Sequence, residues 1–176
     1  MICGNQHSGR GMGYPSGAGV PDRGRVVIVN FELGGGFIEP KMCKSGRPCV
    51  VVQNNKLARG PLVTVVPLST TAPARPMPYH HLMDHRSFTM MPSDYGGQGL
   101  QRWAKCDHLM TVSLARCADP YSRRRYRESR KYVKVKIIQA DMDAIERCVV
   151  WATGIQPERH RTAAIDQLLT GPQTGP

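Results

Sequence analysis

Several polar residues stand at the boundaries of short apolar segments, where a rigid scaffold could present them to a ligand. They comprise cations, hydroxyls and one carboxylate, a set that can cleave RNA without a metal ion. A carboxylate can accept the proton of the ribose 2′-hydroxyl, and a guanidinium can stabilise the charge that develops on the phosphate. DNA lacks that hydroxyl and would not be cut by this route. The candidates are Arg47, Ser69, Thr70, Lys105 and Asp107.

The stretch "SGRPCVVVQ" suggests how Arg47 is held. Gly46 permits an unusual backbone angle, while Pro48 restricts Arg47 to extended conformations. Residues 49–53 have the composition of a short, uncharged strand. We therefore expect Arg47 to project from the start of a strand toward a ligand. Each candidate also has an ordinary structural alternative: Arg47 could be an edge arginine, Asp107 could cap a turn or pair with Lys105, and the Ser-Thr run could simply end a strand.

Other catalytic and metal-binding patterns are absent from the sequence. It contains no GxxxxGK phosphate loop, no GxSxG nucleophile elbow and no cluster of carboxylates suited to a two-metal nuclease. None of the six cysteines forms a CxxC pair, which argues against a zinc knuckle, and without a secretory signal they are expected to be reduced thiols in the cytosol. The histidines nearest to a metal cluster, His80, His81 and His85, are better explained as polar residues of a strand end and a loop. We therefore expect no metal or other cofactor.

The positive charge is concentrated in one part of the chain. The formal net charge is +11 at pH 7, and residues 1–22 and 155–176 each contain as many acidic as basic residues. Residues 115–136 contain nine Arg or Lys and two acidic residues, which points to a polyanion such as nucleic acid. Three interleaved tyrosines offer stacking surfaces for bases, and the alternative is a solvated charged loop. The RNA-binding candidates are Lys44, Arg123, Arg124, Arg125, Arg127, Lys134 and Lys136.

Hydrophobic patterning predicts a mainly β domain with one C-terminal helix. Runs rich in valine and isoleucine predict strands, and residues 140–154 carry apolar side chains at helical spacing before Gly154. Five or six short strands closed by one helix predict a small, strongly curved sheet or barrel. The predicted strands cover residues 25–31, 49–53, 62–68, 79–83, 102–110 and 131–138.

Composition predicts one folded domain between two loose ends. Residues 1–22 are rich in Gly, Ser and Pro, and residues 155–176 close with a second loose tail, so we expect flexible extensions around a domain at 23–154. No stretch approaches 18 consecutive apolar residues, so no membrane-spanning helix is expected. The N-terminus lacks the basic start and apolar core of a secretory signal, and we expect a cytoplasmic protein.

The order of three segments is similar to that of a known family. "GRVVIVNFELGGGFIEPKMCKSGRPCVVVQ", "LVTVVPLSTT" and "WAKCDHLMTVSL" resemble the PemK/MazF toxins of bacterial toxin–antitoxin systems over roughly residues 24–154. The resemblance implies a small SH3-like β-barrel with a C-terminal helix, of the PemK/MazF/CcdB type, usually as a homodimer. It implies a sequence-specific, metal-independent endoribonuclease that cuts single-stranded RNA and leaves a 2′,3′-cyclic phosphate. The implied protein partner is a cognate antitoxin whose acidic segment blocks the RNA groove.

The same resemblance assigns roles to the candidates. Arg47 matches the arginine of the family's "RP" motif, implicated in transition-state stabilisation. Ser69 falls where many members place a catalytic threonine, a role that Thr70 could take after a small shift. "KCD" resembles an "RCD" motif whose arginine and aspartate act as acid and base, so Asp107 matches and Lys105 replaces the arginine. A lysine supplies charge and a proton but not the bidentate grip of arginine.

Two departures from the family pattern keep other functions open. The first long loop has "IEPKMCKSG" where many members carry "EQ" or "HEQ", which leaves Glu39 and Lys41 as polar stand-ins, so the cleavage motif does not transfer. Lys105, together with Ser69, favours an alternative in which the same barrel binds without catalysis. It would bind RNA as a regulator, or a protein target as the CcdB-like inhibitors do. A third hypothesis is an interaction protein whose basic segment recognises only an acidic partner.

Overall fold

The computed structural model describes residues 14, 19–32, 46–57, 60–123 and 130–155, apart from the side chain of Arg123. Within these ranges the chain forms ten short strands and one α-helix, so the predicted mainly β class with a C-terminal helix is confirmed. The elements are β1 (Arg25–Val29), β2 (Arg47–Val51), β3 (Leu62–Ser69), β4 (His80–Leu82), β5 (Trp103–Lys105), β6 (Met110–Ser113), β7 (Cys117–Ala118), β8 (Tyr121–Arg123), β9 (Arg130–Tyr132), β10 (Val135–Lys136) and α1 (Gln139–Thr153).

The strands form one antiparallel sheet and a separate hairpin. The main order is β10-β1-β2-β3-β5-β4, with β6 also pairing with β3 and β7 with β1, while β8 and β9 pair with each other. A short 3-10 helix, Leu114–Arg116, leads directly from β6 to β7. The strand that pairs with β3 and the strand that pairs with β1 are therefore neighbours in the chain. The sheet is barrel-like, as predicted, although its described strands do not close into a complete ring.

Alternating residues of the central strands fill two separate cores. In β1, Val27 and Val29 pack into one cluster with residues of β2, β3, β6 and β7. Val26 and Ile28 pack into the other cluster, which one side of α1 covers with residues such as Ile145. Because both faces of these strands are buried, their sequences are continuous apolar runs that do not alternate with polar residues.

Helix α1 has the predicted position and end. Gly154 adopts φ 67° and ψ 13°, the left-handed conformation that favours glycine after a helix, and its N–H donates to the carbonyl of Trp151. The predicted apolar face is confirmed at Met142 and Ile145, which are buried, whereas Trp151 is 51% exposed. Within the described ranges, no helix is both long and apolar enough to cross a membrane.

The prediction of one strand over 102–110 is wrong, because a 3-10 helix, Cys106–His108, interrupts it. β5 pairs with the end of β3, and β6 pairs with an earlier part of the same strand. Between the two pairings, residues 105–109 lie opposite only Val66 and Pro67, and Pro67 has no N–H to donate to the ladder. The surplus residues fold into the 3-10 helix, which carries the candidate carboxylate.

The prediction of one strand over 131–138 is also wrong, since it divides into β9 and β10. β9 pairs with β8 and β10 with β1, so the chain changes its partner at Val133 and Lys134. The N–H of Val133 donates to the carbonyl of Pro120 at 2.7 Å. This hydrogen bond fixes the chain at the point where it leaves β8 and approaches β1. The other predicted strands are confirmed with boundaries shifted by one or two residues, and Arg47 is the first residue of β2.

A buried carboxylate joins β4, α1 and the 3-10 helix His85–Phe88. Asp141 is 3% exposed and accepts hydrogen bonds from His81 Nε2 at 2.7 Å, from the Ser87 hydroxyl and from the backbone N–H of Asp84. Burial raises the pKa of this carboxyl, but the hydrogen bonds from His81 and Ser87 outweigh it, so the pKa is lowered overall. The ionised carboxylate therefore contributes to the stability of the fold.

Replacing Asp141 with asparagine is expected to lower the free energy of unfolding by about 2–4 kcal/mol at neutral pH. Because the folded-state pKa lies below the unfolded value of about 3.9, the contribution is fully present above that pH and is lost as the pH falls through the folded-state pKa. Urea unfolding at neutral and acidic pH measures this, and the gap between wild type and variant should narrow in acid. Asp143→Asn, at an exposed site of the same helix, is the matched control, and an equal loss there would contradict the prediction.

Candidate active site

Adjacent strands bring three of the predicted catalytic residues to one face of the sheet. Ser69 at the end of β3 lies opposite Trp103, and Lys105 follows two residues later on the same face of β5. The antiparallel register of β2 with β3, continued by two residues, brings Arg47 opposite Ser69. Directly opposed residues share a face, so Arg47, Ser69 and Lys105 lie side by side across three neighbouring strands.

Local backbone geometry fixes the start of β2 at Arg47. Gly46 adopts φ 82°, a left-handed conformation in which a side chain is strained, and an added Cβ would lie 3.4 Å from Ile28. Arg47 pairs with Val29 of β1 and is partly buried. The expectation that Gly46 and Pro48 hold this arginine at a strand start therefore agrees with the backbone.

The hydroxyl candidates lie at the rim of a cavity of about 290 Å³. Ser69 and Thr70 line it together with Pro48, the residue after Arg47. Ser69 Oγ accepts a hydrogen bond from the backbone N–H of Thr71 at 3.2 Å, which fixes the turn that ends β3. Thr70 is exposed and Ser69 is half-buried, so solvent reaches Thr70 more readily than Ser69.

Arg102 fixes the loop that forms the opposite wall of this cavity. Its guanidinium is buried and donates to the backbone carbonyls of Leu100, Tyr95 and Gly97 at 2.6–2.8 Å. It also lies 4.3 Å from the ring centroid of Phe88. Three charge-assisted hydrogen bonds hold the loop, so Arg102 supports this wall of the cavity. From the sequence, Arg102 was expected only as the first residue of the strand predicted over 102–110.

Asp107 lies in the 3-10 helix after β5, between two histidines. Its Oδ1 is 4.0 Å from His80 Nε2, its Oδ2 is 3.4 Å from His108 Nε2, and its side chain is 34% exposed. The sequence analysis missed both histidines as neighbours of the carboxylate. The signal for His108 was its position directly after Asp107, whereas His80 approaches only because β4 pairs with β5.

His80 presents an N–H to Asp107. The backbone N–H of Met77 donates to His80 Nδ1 at 3.2 Å, so the proton of the neutral ring resides on Nε2, which faces Asp107. Burial, followed by the positive charge of Lys105, lowers the pKa of His80. The ring is therefore neutral at physiological pH and adds no full positive charge beside the carboxylate.

A chain of aromatic contacts connects the basic hairpin to the cavity. β8 and β9 pair with Tyr121 opposite Tyr132, and the Arg130 guanidinium lies 4.8 Å above the Tyr121 ring. Tyr121 in turn lies 5.9 Å from Tyr95, which lines the cavity together with Ser69. The hairpin therefore begins beside the cavity, which among the catalytic candidates is lined by Ser69 and Thr70.

The RNA-binding candidates divide into three groups. Arg123 lies in β8 opposite Arg130. Lys136 pairs with Arg25 at the opposite end of β1 from Arg47, four residues or about 13 Å away, and exposed Lys134 lies just before β10. The structure thus does not bring these two lysines to the catalytic candidates. Lys44, Arg124, Arg125 and Arg127, like the loop residues Glu39 and Lys41, lie outside the described residues.

The histidines once considered for a metal have separate surroundings. His80 faces Asp107, His81 donates to Asp141, and His85 lies 3.3 Å from Asp84. Over the part of the chain that the structure describes, no three His, Cys, Asp or Glu residues are grouped to hold a metal ion. The buried thiols Cys49, Cys106, Cys117 and Cys148 form no disulfide bonds.

Comparison with known proteins gives one family match. Residues 22–150 match the family model described as PemK-like, MazF-like toxin of type II toxin–antitoxin system. Similar solved structures include an endoribonuclease from a mycobacterial species in complex with its cognate antitoxin (23% identity, 78% of this chain, 98% of that chain, TM-score 0.49). MazF from Deinococcus radiodurans is 17% identical over 77% of this chain and 98% of that one, with a TM-score of 0.46. No curated protein matches the chain.

Proposed function

The chain belongs to the PemK-like and MazF-like toxins of type II toxin–antitoxin systems, and on this premise we propose that it is a metal-independent endoribonuclease that cuts single-stranded RNA. The observation that supports the proposal most is the convergence of Arg47, Ser69 and Lys105 on one face of three adjacent strands, with Asp107 two residues further along. This face offers the cations, the hydroxyl and the proton acceptor that attack by a ribose 2′-hydroxyl requires.

In the proposed reaction, Asp107 accepts the proton of the 2′-hydroxyl while the 2′-oxygen of the ribose forms a bond to the adjacent phosphorus. Arg47 binds phosphate oxygens and stabilises the pentacovalent transition state, and Ser69 or Thr70 donates a hydrogen bond to the same phosphate. The P–O5′ bond then breaks, and Lys105 gives a proton to the leaving oxygen. The fragments therefore end in a 2′,3′-cyclic phosphate and a 5′-hydroxyl.

The two histidines favour Asp107 as the proton acceptor. Neutral His80 directs an N–H toward one carboxylate oxygen from 4.0 Å, and His108 lies 3.4 Å from the other. Such flanking groups restrict the rotation of the carboxylate, which keeps it aimed at the substrate. The exposed third of the side chain leaves room for the ribose to approach.

We assign the path of the RNA to the hairpin and the cavity. The aromatic contact from Tyr121 to Tyr95 leads from the basic hairpin to the cavity lined by Ser69 and Thr70, and this supports a single strand that follows it. The phosphate contacts are assigned to Arg123, Arg124, Arg125, Arg127 and Lys44 on their charge alone. Lys134 and Lys136 lie on another surface and would act at a distance, through the general electrostatic attraction of the domain.

The proposal extends to partners and domain limits. A net charge of +11 suits an acidic antitoxin segment that occupies the RNA path and mimics its charge. We further propose a homodimer that acts in the cytoplasm, with the toxin domain at residues 23–154 and extensions at 1–22 and 155–176. The family match over residues 22–150 supports these domain limits.

Matched oligonucleotides test the proposed chemistry. An RNA that the protein cuts should become resistant when the single nucleotide 5′ to the cut carries 2′-deoxyribose, because the nucleophile is then missing. The same substitution one nucleotide away should leave cleavage nearly unchanged. Continued cleavage at the deoxy position, read by gel analysis of end-labelled fragments, would contradict attack by the 2′-hydroxyl.

A further inference from the structure

We propose that Tyr79 and Trp151 form a base-stacking subsite beside the candidate active site, which binds an unpaired nucleobase of single-stranded RNA next to the scissile phosphate. The inference rests on the proposed function, because it assigns a further contact to the same substrate. Neither aromatic residue was singled out from the sequence, since they meet only in the folded chain.

Three consecutive contacts connect an exposed indole to the candidate proton acceptor. The rings of Trp151 and Tyr79 have centroids 5.4 Å apart at an interplanar angle of 42°. Tyr79 contacts the ring of His80 edge to face at 4.4 Å, and His80 Nε2 is 4.0 Å from Asp107. A base stacked on this pair would therefore belong to a nucleotide close to the one that reacts.

Backbone contacts and core packing fix the positions of Tyr79 and Trp151 relative to the carboxylate of Asp107. The carbonyl of Tyr79 accepts a hydrogen bond from the N–H of Cys106 at 3.1 Å, and Cys106 directly precedes Asp107. β4 pairs with β5 so that His80 lies opposite Lys105. Trp151 lies in the last turn of α1, whose buried face packs on the same core. A nucleobase bound here would therefore keep a fixed position relative to the reacting groups.

The composition of this surface suits a nucleotide. Trp151 is 51% exposed and belongs to neither hydrophobic cluster, so packing in the core does not account for it. Arg147 lies one helical turn earlier on α1, is exposed, and can contact a phosphate on the same side. Aromatic faces stack on any base, so this subsite would strengthen binding without reading the sequence.

The test compares Trp151→Leu, which removes the aromatic face, with Trp151→Phe, which keeps one. The probe is a labelled, mixed-sequence single strand of about ten nucleotides in which every ribose is 2′-O-methylated, so that it cannot be cleaved. A second probe has the same length of sugar-phosphate backbone but no bases. Binding is measured by fluorescence anisotropy, with Leu62→Ala as the control for loss of an exposed apolar side chain at the far end of β3.

Stacking predicts that Trp151→Leu binds the base-containing probe at least about fivefold more weakly than wild type. Trp151→Phe should retain most of the affinity, and binding of the abasic probe should be the same for all variants. Equal affinity of Trp151→Leu and wild type for the base-containing probe would overturn the subsite. Equal weakening with both probes, together with a change of oligomeric state in sedimentation, would instead make Trp151 a subunit contact and also overturn it.

Cleavage of unmodified RNA by the wild type separates this inference from the proposed function. If wild type cuts RNA and Trp151→Leu binds the base-containing probe as tightly as wild type does, the ribonuclease assignment stands and the subsite fails. If wild type cuts no RNA but shows the base-dependent difference in binding, the subsite stands and the catalytic assignment fails.

Discussion

Arg47→Ala is expected to slow RNA cleavage by about 10²–10³-fold while leaving most of the RNA affinity intact. The guanidinium is proposed to bind the phosphate most strongly when its charge is highest, in the transition state, so its loss should lower kcat far more than it raises KM. In binding of the ground state it is one cation among many. Single-turnover kinetics with RNA and equilibrium binding of a 2′-O-methylated strand measure the two effects separately.

Two further variants sharpen this result. Arg47→Lys keeps the charge but loses the bidentate geometry, so its rate should fall between those of wild type and Arg47→Ala. Lys56→Ala removes one positive charge from the exposed turn after β2, at the opposite end of that strand, and should cleave at nearly the wild-type rate. Equal losses in affinity and rate for Arg47→Ala would show that the arginine only binds RNA.

Asp107→Asn is expected to reduce kcat by about 10²–10⁴-fold, because the amide has nearly the same shape but cannot accept the proton of the 2′-hydroxyl. KM should change little, since the side chain is not proposed to contact phosphate. Asp143→Asn makes the same chemical change at an exposed site on α1 and serves as the control. Quenched-flow measurement of the cleavage rate under single-turnover conditions gives the comparison.

The neighbouring histidines provide the alternative to Asp107 as the base. His108 Nε2 lies 3.4 Å from the carboxylate, close enough to reach the same ribose. If Asp107→Asn kept the wild-type rate while His108→Asn lost it, the proton acceptor would be the imidazole and the role of Asp107 would be to orient it. The proposed mechanism requires the reverse order of the two effects.

The parts of this fold that depend on local patterns could be predicted from the sequence. The helix ends beside Gly154 because a left-handed residue is needed there, and the start of β2 follows from Gly46 and Pro48 flanking Arg47. The long apolar run of β3 is equally clear, because both of its faces are buried. In each case the deciding interaction lies within a few residues of the chain.

What could not be predicted depends on pairing between distant segments. The 3-10 helix that carries Asp107 exists because residues 105–109 must pass Val66 and Pro67, a mismatch visible only once β3 is paired. His80 reaches the carboxylate through the pairing of β4 with β5, which spans more than twenty residues. The contact of Tyr95 with Tyr121 likewise joins a loop to a hairpin. The candidate residues themselves could therefore be named from the sequence, whereas the residues that surround them could be identified only from the structure.

The chemistry of the cut ends tests the central claim most directly. Purified protein would be incubated with mixed single-stranded RNA in excess EDTA, and the fragment ends would be identified by mass spectrometry. The proposed mechanism predicts 2′,3′-cyclic phosphates and 5′-hydroxyls, formed at a rate that EDTA does not change. Fragments with 5′-phosphates, a requirement for a divalent metal, or bound RNA that stays intact would contradict it.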